Sequence, residues 1–508
     1  MAKLAKYWGI ILLIILLSGL YSWILFDKAG DGRWYHQETI ILVKNGWNPL
    51  YSPFNLDTVY DQFHQTKTFP IASELLAASF SMAFSHIQVG KIINILFALY
   101  CSSITFMALN QLCNLNLKSN LIITLYITLN PIALSQLQSF YIDGNLLYCF
   151  TILLFSTLGY VFGNIPSSTS TSSQNIQFKY NNYNMSISKN MHYFWLINTI
   201  ISFILLANLK FTGLVFSCII ILIPTIIHWC IYNKLPKSYL GLIFWLIIGI
   251  LYFGWHPYIQ NLIYQRNILW PIMGNHTDHV FNEVSGYVKL PKLLLFIISY
   301  FTPYPMEADN LFVPSIKPFV RTDTALGALG PFFGIIMLTS IYWSIKYFWS
   351  NLNNLKNDKM VQILLSMTII LIITIAMNPA LSWAKYSPQI VLLPSIGLII
   401  FYLHNNKHRK FTPFLIFMIV INSGLFYGGS LVLTAYRSYK FYKMESYCKA
   451  NQCIFDIQPG RLFYVSLLNQ LLEDHIPINK IGSCSRQKII WTDVQQAGVA
   501  PQQVCSPL

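Results

Sequence analysis

The sequence predicts an all-α polytopic membrane protein, and three observations carry that prediction. Of its 508 residues, 55% are hydrophobic and only 10% are charged, whereas soluble domains carry roughly a quarter charged residues. The apolar residues form long runs of the length that a helix needs to cross a bilayer, about 20 residues. The net charge of +15 lies in the gaps between those runs, which indicates membrane surfaces rather than nucleic acid as the partner. The composition excludes a disordered chain, a collagen and a small disulfide scaffold.

About eleven transmembrane helices are predicted from apolar runs bounded by charged or turn-forming residues. They lie at residues 7–26, 89–109, 120–138, 144–163, 193–209, 211–229, 239–254, 331–349, 360–377, 389–403 and 412–435. The first run follows a basic segment, as a signal sequence does. Its apolar core of about 20 residues is too long for a signal peptide, and no A-x-A cleavage site follows, so we expect an uncleaved helix. No internal repeat of fixed period is found, which disfavours transporter folds built from inverted repeats.

The distribution of lysine and arginine predicts a cytoplasmic N-terminus and a C-terminus outside. With that orientation, the inside segments contain a single acid, Asp358, among many basic residues. Large outer loops are expected at residues 27–88 and 255–330. Residues 1–435 then form the transmembrane domain, and residues 436–508 form a small extracytoplasmic module.

The predicted C-terminal module is rich in cysteine. Cys448, Cys453, Cys484 and Cys505 all lie in it, on the side where disulfides form. Two disulfides are expected, and three pairings are open. The spacing of these four cysteines is a poor match to zinc sites.

The first outer loop contains the candidate general bases. Asp27 and Asp31 follow the first predicted helix within two turns, and Tyr35 and His36 come next. A carboxyl group this close to a bilayer, with aromatic and imidazole neighbours, can have a raised pKa and accept a proton. The alternative is a solvated loop acid. Further along, a proline opens an apolar run at 63–84 with Glu74 inside it, which predicts a helix lying along the membrane surface and roofing a cavity.

Further candidates lie at the predicted outer ends of other helices. Asp143 begins a helix directly after a short turn, either as a functional acid or as a helix cap. Lys210 and Lys385 occupy two outer corners, where ammonium groups could hold a phosphate at the level of the lipid headgroups. The alternative is interfacial anchoring, with Trp383 and Tyr386 as an aromatic belt and the lysines extending toward water.

Residues 254–274 interleave polar and aromatic side chains. The polar or amphipathic members are His256, Tyr258, Asn261, Arg266 and Asn267. Such a segment is suited to a cavity that receives a polar ring, because sugar sites combine aromatic stacking with hydrogen bonds. It is equally typical of a re-entrant or surface helix that binds no ligand.

The order of these features resembles the GT-C superfamily of membrane glycosyltransferases, which contains the protein O-mannosyltransferases and the lipid A aminoarabinose transferase. The similarity is greatest to bacterial members with a D-x-x-x-Y-H pattern, and it covers residues 1–435. The matching features, in chain order, are Asp31-x₃-Tyr35-His36, Gly46-Trp47-x-Pro49, Phe69-Pro70, Tyr141-x-Asp143-Gly144, Lys210-Phe211-Thr212-Gly213, His256-Pro257-Tyr258 through Trp270-Pro271, Gly327-x₂-Gly330-Pro331 and Trp383-Ala384-Lys385-Tyr386-x-Pro388.

This resemblance implies a sugar donor joined through phosphate to a polyprenyl lipid, and an acceptor that is a glycan, a lipid or a protein. It implies a bacterial cytoplasmic (inner) membrane. No nucleic-acid partner is expected, because most of the surplus positive charge sets the topology of the loops. The absence of a P-loop or Rossmann glycine pattern agrees with a donor that is not a soluble nucleotide. Residue roles follow from the same resemblance: Asp31 as the base, Asp143 as a second acid, Asp27 as the alternative acid, Lys210 and Lys385 at the phosphate, and Tyr386, His36, Tyr35, Arg266 and His256 in donor binding.

Two departures from the family pattern bear on these roles. Relatives often carry arginine where Lys385 stands, so a phosphate contact here would use a single point charge rather than a fork. The tandem Asp-Glu of the mannosyltransferases is absent, and Asp27 and Asp31 stand four residues apart instead. A divalent metal stays open, with Asp278 and His279 as weak candidate ligands.

Two functions from other classes compete with a transferase. One is a transporter or flippase for a lipid-linked glycan, and the other is a noncatalytic subunit of envelope assembly. Transporters place ionisable groups at mid-depth within their spans. In this sequence the acids gather in the predicted outer segments, which favours chemistry at the membrane surface.

Overall fold

The structure is a computed structural model, and nearly all of what it describes is helical. The described residues are 2–27, 29–50, 68–163, 189–270, 291–302, 306–307, 310–314, 329–378, 381–404, 412–450 and four short strands after residue 453. Asp278 and His279, the weak metal-ligand candidates, lie outside them.

The helices, in chain order, are α1 Ala2–Ile24, α2 Gln37–Lys44, α3 Ala72–Ala83, α4 Ile92–Cys113, α5 Leu117–Thr128, α6 Pro131–Gln136, α7 Asp143–Phe162, α8 Lys189–Ala207, α9 Phe211–Tyr232, α10 Tyr239–Ile248, α11 Gln260–Gln265, α12 Lys292–Phe301, α13 Phe333–Asn351, α14 Lys359–Ala376, α15 Leu393–His404 and α16 Thr412–Ala450. A 3₁₀ turn, Ile87–Lys91, leads into α4, and another, Pro388–Leu392, leads into α15.

The chain is an all-α polytopic membrane protein, but the prediction of eleven spans is wrong for the part that the structure describes. Six helices there are long and apolar enough to cross a membrane, or seven if one pair with a bend of 78° counts as one span. The six are Ile87–Cys113, Asp143–Phe162, Asn190–Ala207, Phe211–Tyr232, Lys359–Ala376 and Thr412–Tyr447, and the bent pair is Tyr239–Phe253 with Trp255–Gln265.

The other four predicted runs are not counted among these spans, each for its own reason. The run 120–138 is split into α5 and α6, because Pro131 cannot continue the hydrogen-bond ladder and Asn130 caps a new helix. The first run forms α1, Ala2–Ile24, but the side chains of residues 2–11 are not among those that the structure describes, so only Leu12–Ile24 is assessed as a span. The run 389–403 belongs to Pro388–Leu403, an apolar helix too short to count. The run 331–349 forms α13, whose lysine, hydroxyl and aromatic side chains keep its hydropathy below that of a span.

The centre of the bundle is α7, every residue of which is buried. A helix that is apolar on all sides lies in a protein core or in lipid, and here α4, α8 and α9 pack against it. The packing against α8 is close, since a Cβ on Gly159 would come within 2.5 Å of the Trp195 ring. At the other end of α7, next to Asp143, the Gly144 N–H donates to Oε1 of Gln136 at 2.8 Å, and a Cβ on Gly144 would lie 3.1 Å from the backbone of Ala133, so the first turn packs closely against α6.

The C-terminal part begins as a continuation of the last helix. The helix expected to end at 435 continues to Ala450. Beyond it, β3 Ile454–Asp456, β4 Ile478–Asn479, β5 Lys488–Ile490 and β6 Gln503–Cys505 form a sheet of order β4-β3-β6-β5, in which only the β3–β4 pair is parallel. A separate hairpin pairs β1 Met306–Glu307 with β2 Asn310–Pro314. The four cysteine side chains of the predicted module are not among the side chains that the structure describes, so their pairing stays a prediction.

Candidate functional site

A turn of π-helix, Gly32–His36, arranges the residues that follow α1. Its hydrogen bonds span five residues, as in the bond from the Gln37 N–H to the Gly32 carbonyl. This wider turn brings Asp31 and the Tyr35–His36 pair toward one side, and such turns are frequent at functional sites. Glycine is required at position 32, because a Cβ there would lie 2.5 Å from a carboxylate oxygen of Asp27.

The first acid–lysine pair joins Asp31 to Lys385. The Lys385 ammonium lies 3.5 Å from Oδ2 of Asp31, which is long for a charge-assisted hydrogen bond. The lysine is almost fully buried and lies 5.1 to 5.8 Å from the ring centroids of Tyr386, Trp383 and Tyr141. Asp31 keeps 33% of its side chain exposed. The pair is therefore loose, and its acid is accessible.

The second pair joins Asp143 to Lys210 at 2.8 Å. Asp143 is the first residue of α7, and Ile142 occupies the cap position, so the capping alternative does not describe this acid. Lys210 lies in the extended link between α8 and α9, where its ammonium is 4.9 Å from the Tyr386 ring centroid. Both lysines therefore flank the same aromatic ring.

Tyr35 lies between the two pairs. Burial raises the pKa of its phenol well above the ordinary value, and the negative charges of Asp31, Asp143 and Glu74 add to that effect. The Tyr35 ring lies 4.0 Å from that of His36 and 6.2 Å from that of Phe69, centroid to centroid. The phenol is neutral and protonated, and it can donate a hydrogen bond to an anion.

His36 forms a buried pair with Glu74 of α3. Its Nδ1 lies 2.5 Å from Oε1 of Glu74. Together the two residues line a narrow pocket with Tyr35, Phe69 and Lys210. The run at 63–84 supplies α3 and this part of the wall, while residues 63–67 lie outside the described ones. The side chain of Glu74 thus belongs to the site, although the sequence singled it out only as an acid within an apolar run.

Asp27, the alternative acid, lies in a neighbouring buried cluster. One carboxylate oxygen accepts from the Ala29 N–H and the other from the Phe140 N–H, each at 2.8 Å. Burial raises the pKa of this carboxyl, while Lys91, the two N–H donors and Arg33 act in the opposite direction. Burial also lowers the pKa of the Arg33 guanidinium to about 10. Asp27 is fully enclosed, and it binds the first loop to the turn that precedes Asp143.

His256 and Arg266 lie on another element, the bent α10–α11 segment. Nδ1 of His256 is 2.7 Å from Oε1 of Gln260, and the imidazole meets the edge of Trp47. Gln260 in turn donates to the Pro49 carbonyl at 2.9 Å. Arg266 is exposed at the end of α11 in a left-handed conformation. These contacts hold the first loop against the bent segment, and they give His256 a supporting position.

The structure therefore brings together Asp31, Tyr35, His36, Asp143, Lys210, Lys385 and Tyr386. Sequence reasoning missed Glu74 and Lys91 as members of buried clusters and named Tyr141 only within a motif. The one available signal for Lys91 and Glu74 was a charged residue inside an apolar run, and such a residue is costly to bury without a partner.

No group of three or more His, Cys, Asp or Glu side chains suited to a metal ion occurs among the described residues. Comparisons of this chain with family models, with curated proteins and with solved structures find no match.

Proposed function

We propose that this chain is an integral membrane glycosyltransferase that moves a sugar from a polyprenyl-phosphate-linked donor to an acceptor hydroxyl at the membrane surface. The observation that carries the proposal is the pair of lysines around Tyr386, each of them paired with an acid. The GT-C resemblance of residues 1–435 supplies the reaction, and this cluster supplies residues able to perform it.

The two ammonium groups suit a phosphate that bridges them. They lie 4.9 and 5.1 Å from one ring centroid, so they are at most about 10 Å apart. A phosphate that accepts a charge-assisted hydrogen bond of about 2.8 Å from an ammonium group on each side needs those two groups somewhat closer together than that. A small movement of either lysine would let both contact one lipid phosphate, and the aromatic rings around Lys385 keep water away from that contact.

The two acids are suited to different tasks. Asp31 is partly exposed and only loosely paired, so a phosphate that binds Lys385 would release its carboxylate to act as a base. Asp143 is buried and tightly paired, which suits an acid that positions Lys210 or the acceptor. Asp31 is therefore the general base in this proposal.

The reaction balances with these groups alone. The acceptor oxygen forms a bond to the anomeric carbon while the bond from that carbon to the phosphate oxygen breaks. The electron pair leaves on the phosphate, where Lys210 and Lys385 stabilise the developing charge. The hydroxyl proton passes to Asp31. A single displacement of this kind inverts the anomeric centre.

The finer topology belongs to the same proposal. The lysine-rich segments lie on the cytoplasmic side, the N-terminus is inside, the C-terminus is outside, and the membrane is the bacterial cytoplasmic membrane. The active cluster then faces away from the cytoplasm.

Replacing Asp31 with asparagine tests the proposal. The substitution keeps the shape of the side chain and removes the base. Membranes that contain the variant should consume lipid-linked sugar at least about 100-fold more slowly than wild type, since general-base catalysis contributes about 10²- to 10⁴-fold. Mass spectrometry of the released lipid phosphate measures the rate.

The matched control is Asp358→Asn. Asp358 caps α14 at the end of that helix opposite to Lys385, and a single oxygen of its carboxylate accepts from the Met360 and Val361 N–H groups. Asparagine caps a helix equally well. This control should keep full activity. Undiminished turnover in Asp31→Asn would contradict the assignment of the base, and movement of intact lipid-linked sugar across the bilayer would favour a flippase.

A further inference from the structure

The narrow pocket beneath the Phe69–Pro70 turn has a polar wall that the transfer reaction above does not use. His36 and Glu74 form that wall, and Phe69, Pro70 and Ile71 form the apolar side. Both polar side chains are at least nine-tenths buried, at 1% and 3% exposure. The site reaches the reacting cluster, because Tyr35 and Lys210 line it as well.

One oxygen of this wall lacks a partner. Oε1 of Glu74 accepts from His36, whereas Oε2 is buried without a hydrogen-bond partner among the described residues. Burying a carboxylate oxygen without a hydrogen-bond donor costs more free energy than an average hydrogen bond contributes. Its position in a pocket wall indicates a donor supplied by a ligand.

The size and charge of the pocket limit what that donor can be. The space takes a group about as large as a hydroxyl or a water molecule. A carboxylate would be repelled by Glu74. Glu74 and Lys210 already pair with His36 and Asp143, so an added ammonium would be a buried charge without a counter-charge of its own, which is costly. A neutral hydroxyl meets both conditions.

We propose that this pocket receives one hydroxyl group of a sugar, which donates to Oε2 of Glu74, and that it selects a neutral sugar with a free hydroxyl at that position. The inference rests on the proposed function for the identity of the ligand as a sugar. The rest of the ring lies outside the pocket, toward Lys210 and Tyr386. His36 acts by holding the Glu74 carboxylate in place, which is a positioning role.

Binding of defined sugars to the full-length protein in lipid nanodiscs tests the pocket. One series consists of prenyl-phosphate-linked hexoses, namely the parent, each monodeoxy form, the amino sugar and the uronic acid. A second series consists of methyl hexosides and their monodeoxy forms. We expect one monodeoxy compound to bind about 10- to 100-fold more weakly than its parent, the cost of losing a hydrogen bond to a charged group. The series that shows the loss assigns the hydroxyl to the donor or to the acceptor.

Glu74→Ala should erase that ratio, and Glu74→Gln, which keeps the shape and one accepting oxygen, should reduce it. The control is Ser79→Ala on the exposed face of the same helix, which should keep the wild-type ratio. If Glu74→Ala does not fold, Glu74→Gln decides alone. An unchanged ratio in the folded variant, or no discrimination in either series, would mean that the pocket holds a structural water only and would overturn the proposal. Tighter binding of the amino sugar than of its parent would also overturn the proposal.

The two proposals fail separately. Discrimination among the sugars that depends on Glu74, without any sugar transfer, would support the hydroxyl site and contradict the transferase proposal. Sugar transfer that depends on Asp31, with no effect of Glu74 substitutions on the binding ratios, would support the transferase proposal and contradict the hydroxyl site.

Discussion

Asparagine at position 27 should destabilise the protein far more than its small chemical change suggests. Asp27 is completely buried, and its two oxygens accept from two different N–H groups, those of Ala29 and Phe140. An asparagine side chain has one accepting oxygen and one donating amide. Whichever way that amide turns, one backbone N–H then faces another donor, and Lys91 and Arg33 lose a nearby negative charge.

The expected cost is about 3 kcal/mol. A lost hydrogen bond to a charged group accounts for about 1.5–3 kcal/mol, and breaking a buried charge pair costs about 3–5 kcal/mol. No reduction for solvent screening applies, since Asp27 has 0% exposure. The free energy of unfolding in mixed micelles of increasing sodium dodecyl sulfate content, followed by tryptophan fluorescence, measures the change.

The comparison is again with Asp358→Asn, in which one oxygen makes both cap bonds and the amide can replace it. That variant should change the free energy of unfolding by less than about 0.5 kcal/mol. Equal effects of the two substitutions would refute the reasoning, because they would mean that the Asp27 carboxylate does not bind two separate segments together.

Three further outcomes follow from the same contacts. Lys385→Ala should raise the KM for the lipid-linked donor about 10- to 100-fold, and Lys385→Arg should restore most of the affinity. An unchanged KM would mean that Lys385 does not bind the phosphate. Tyr386→Phe should keep wild-type turnover because the aromatic ring remains, whereas Tyr386→Ala should weaken donor binding about tenfold. Equal behaviour of the two variants would mean that the ring does not hold the lysine ammonium groups. Gly397→Ala should lower the free energy of unfolding by about 1–3 kcal/mol, because its Cβ would lie 2.3 Å from the backbone of Ser340, while Gly424→Ala, with open space around it, should be neutral or slightly stabilising.

The membrane class of the fold was predictable, and the number of spans was not. Composition and long apolar runs identify a polytopic helical protein because the bilayer imposes both. The run 120–138 has the composition of a span, yet it folds as two helices because Asn130 and Pro131 end one and begin the next. Hydropathy averages over such a break, whereas capping and proline chemistry act on single residues.

The candidate site shows a similar division. The sequence placed Asp31, Asp143, Lys210 and Lys385 at the ends of predicted helices, and those ends meet in the structure. It could not decide which lysine pairs with which acid, because that depends on how α7, α9 and the 381–388 turn pack together. Nor could it separate Asp27 from Asp31, since both are aspartates in one loop. The distinction lies in burial and in the N–H of Phe140, 113 residues away.

The His36–Glu74 pair lay beyond sequence reasoning for the same reason. The two residues are 38 positions apart and belong to different elements, the π-helical turn and α3. Each has an ordinary explanation on its own, as a polar loop residue and as an acid in a surface helix. Only their contact and the unpartnered oxygen of Glu74 indicate a ligand.

The central claim is that this chain breaks the bond between a sugar and a lipid phosphate. The purified protein in vesicles, supplied with extracted polyprenyl-phosphate-linked sugars and an envelope extract as acceptor, tests it by mass spectrometry of the lipid products. Free polyprenyl phosphate should accumulate with wild type and not with Asp31→Asn. Lipid-linked sugar that stays intact in the presence of the wild-type protein, or that only changes leaflet, would contradict it.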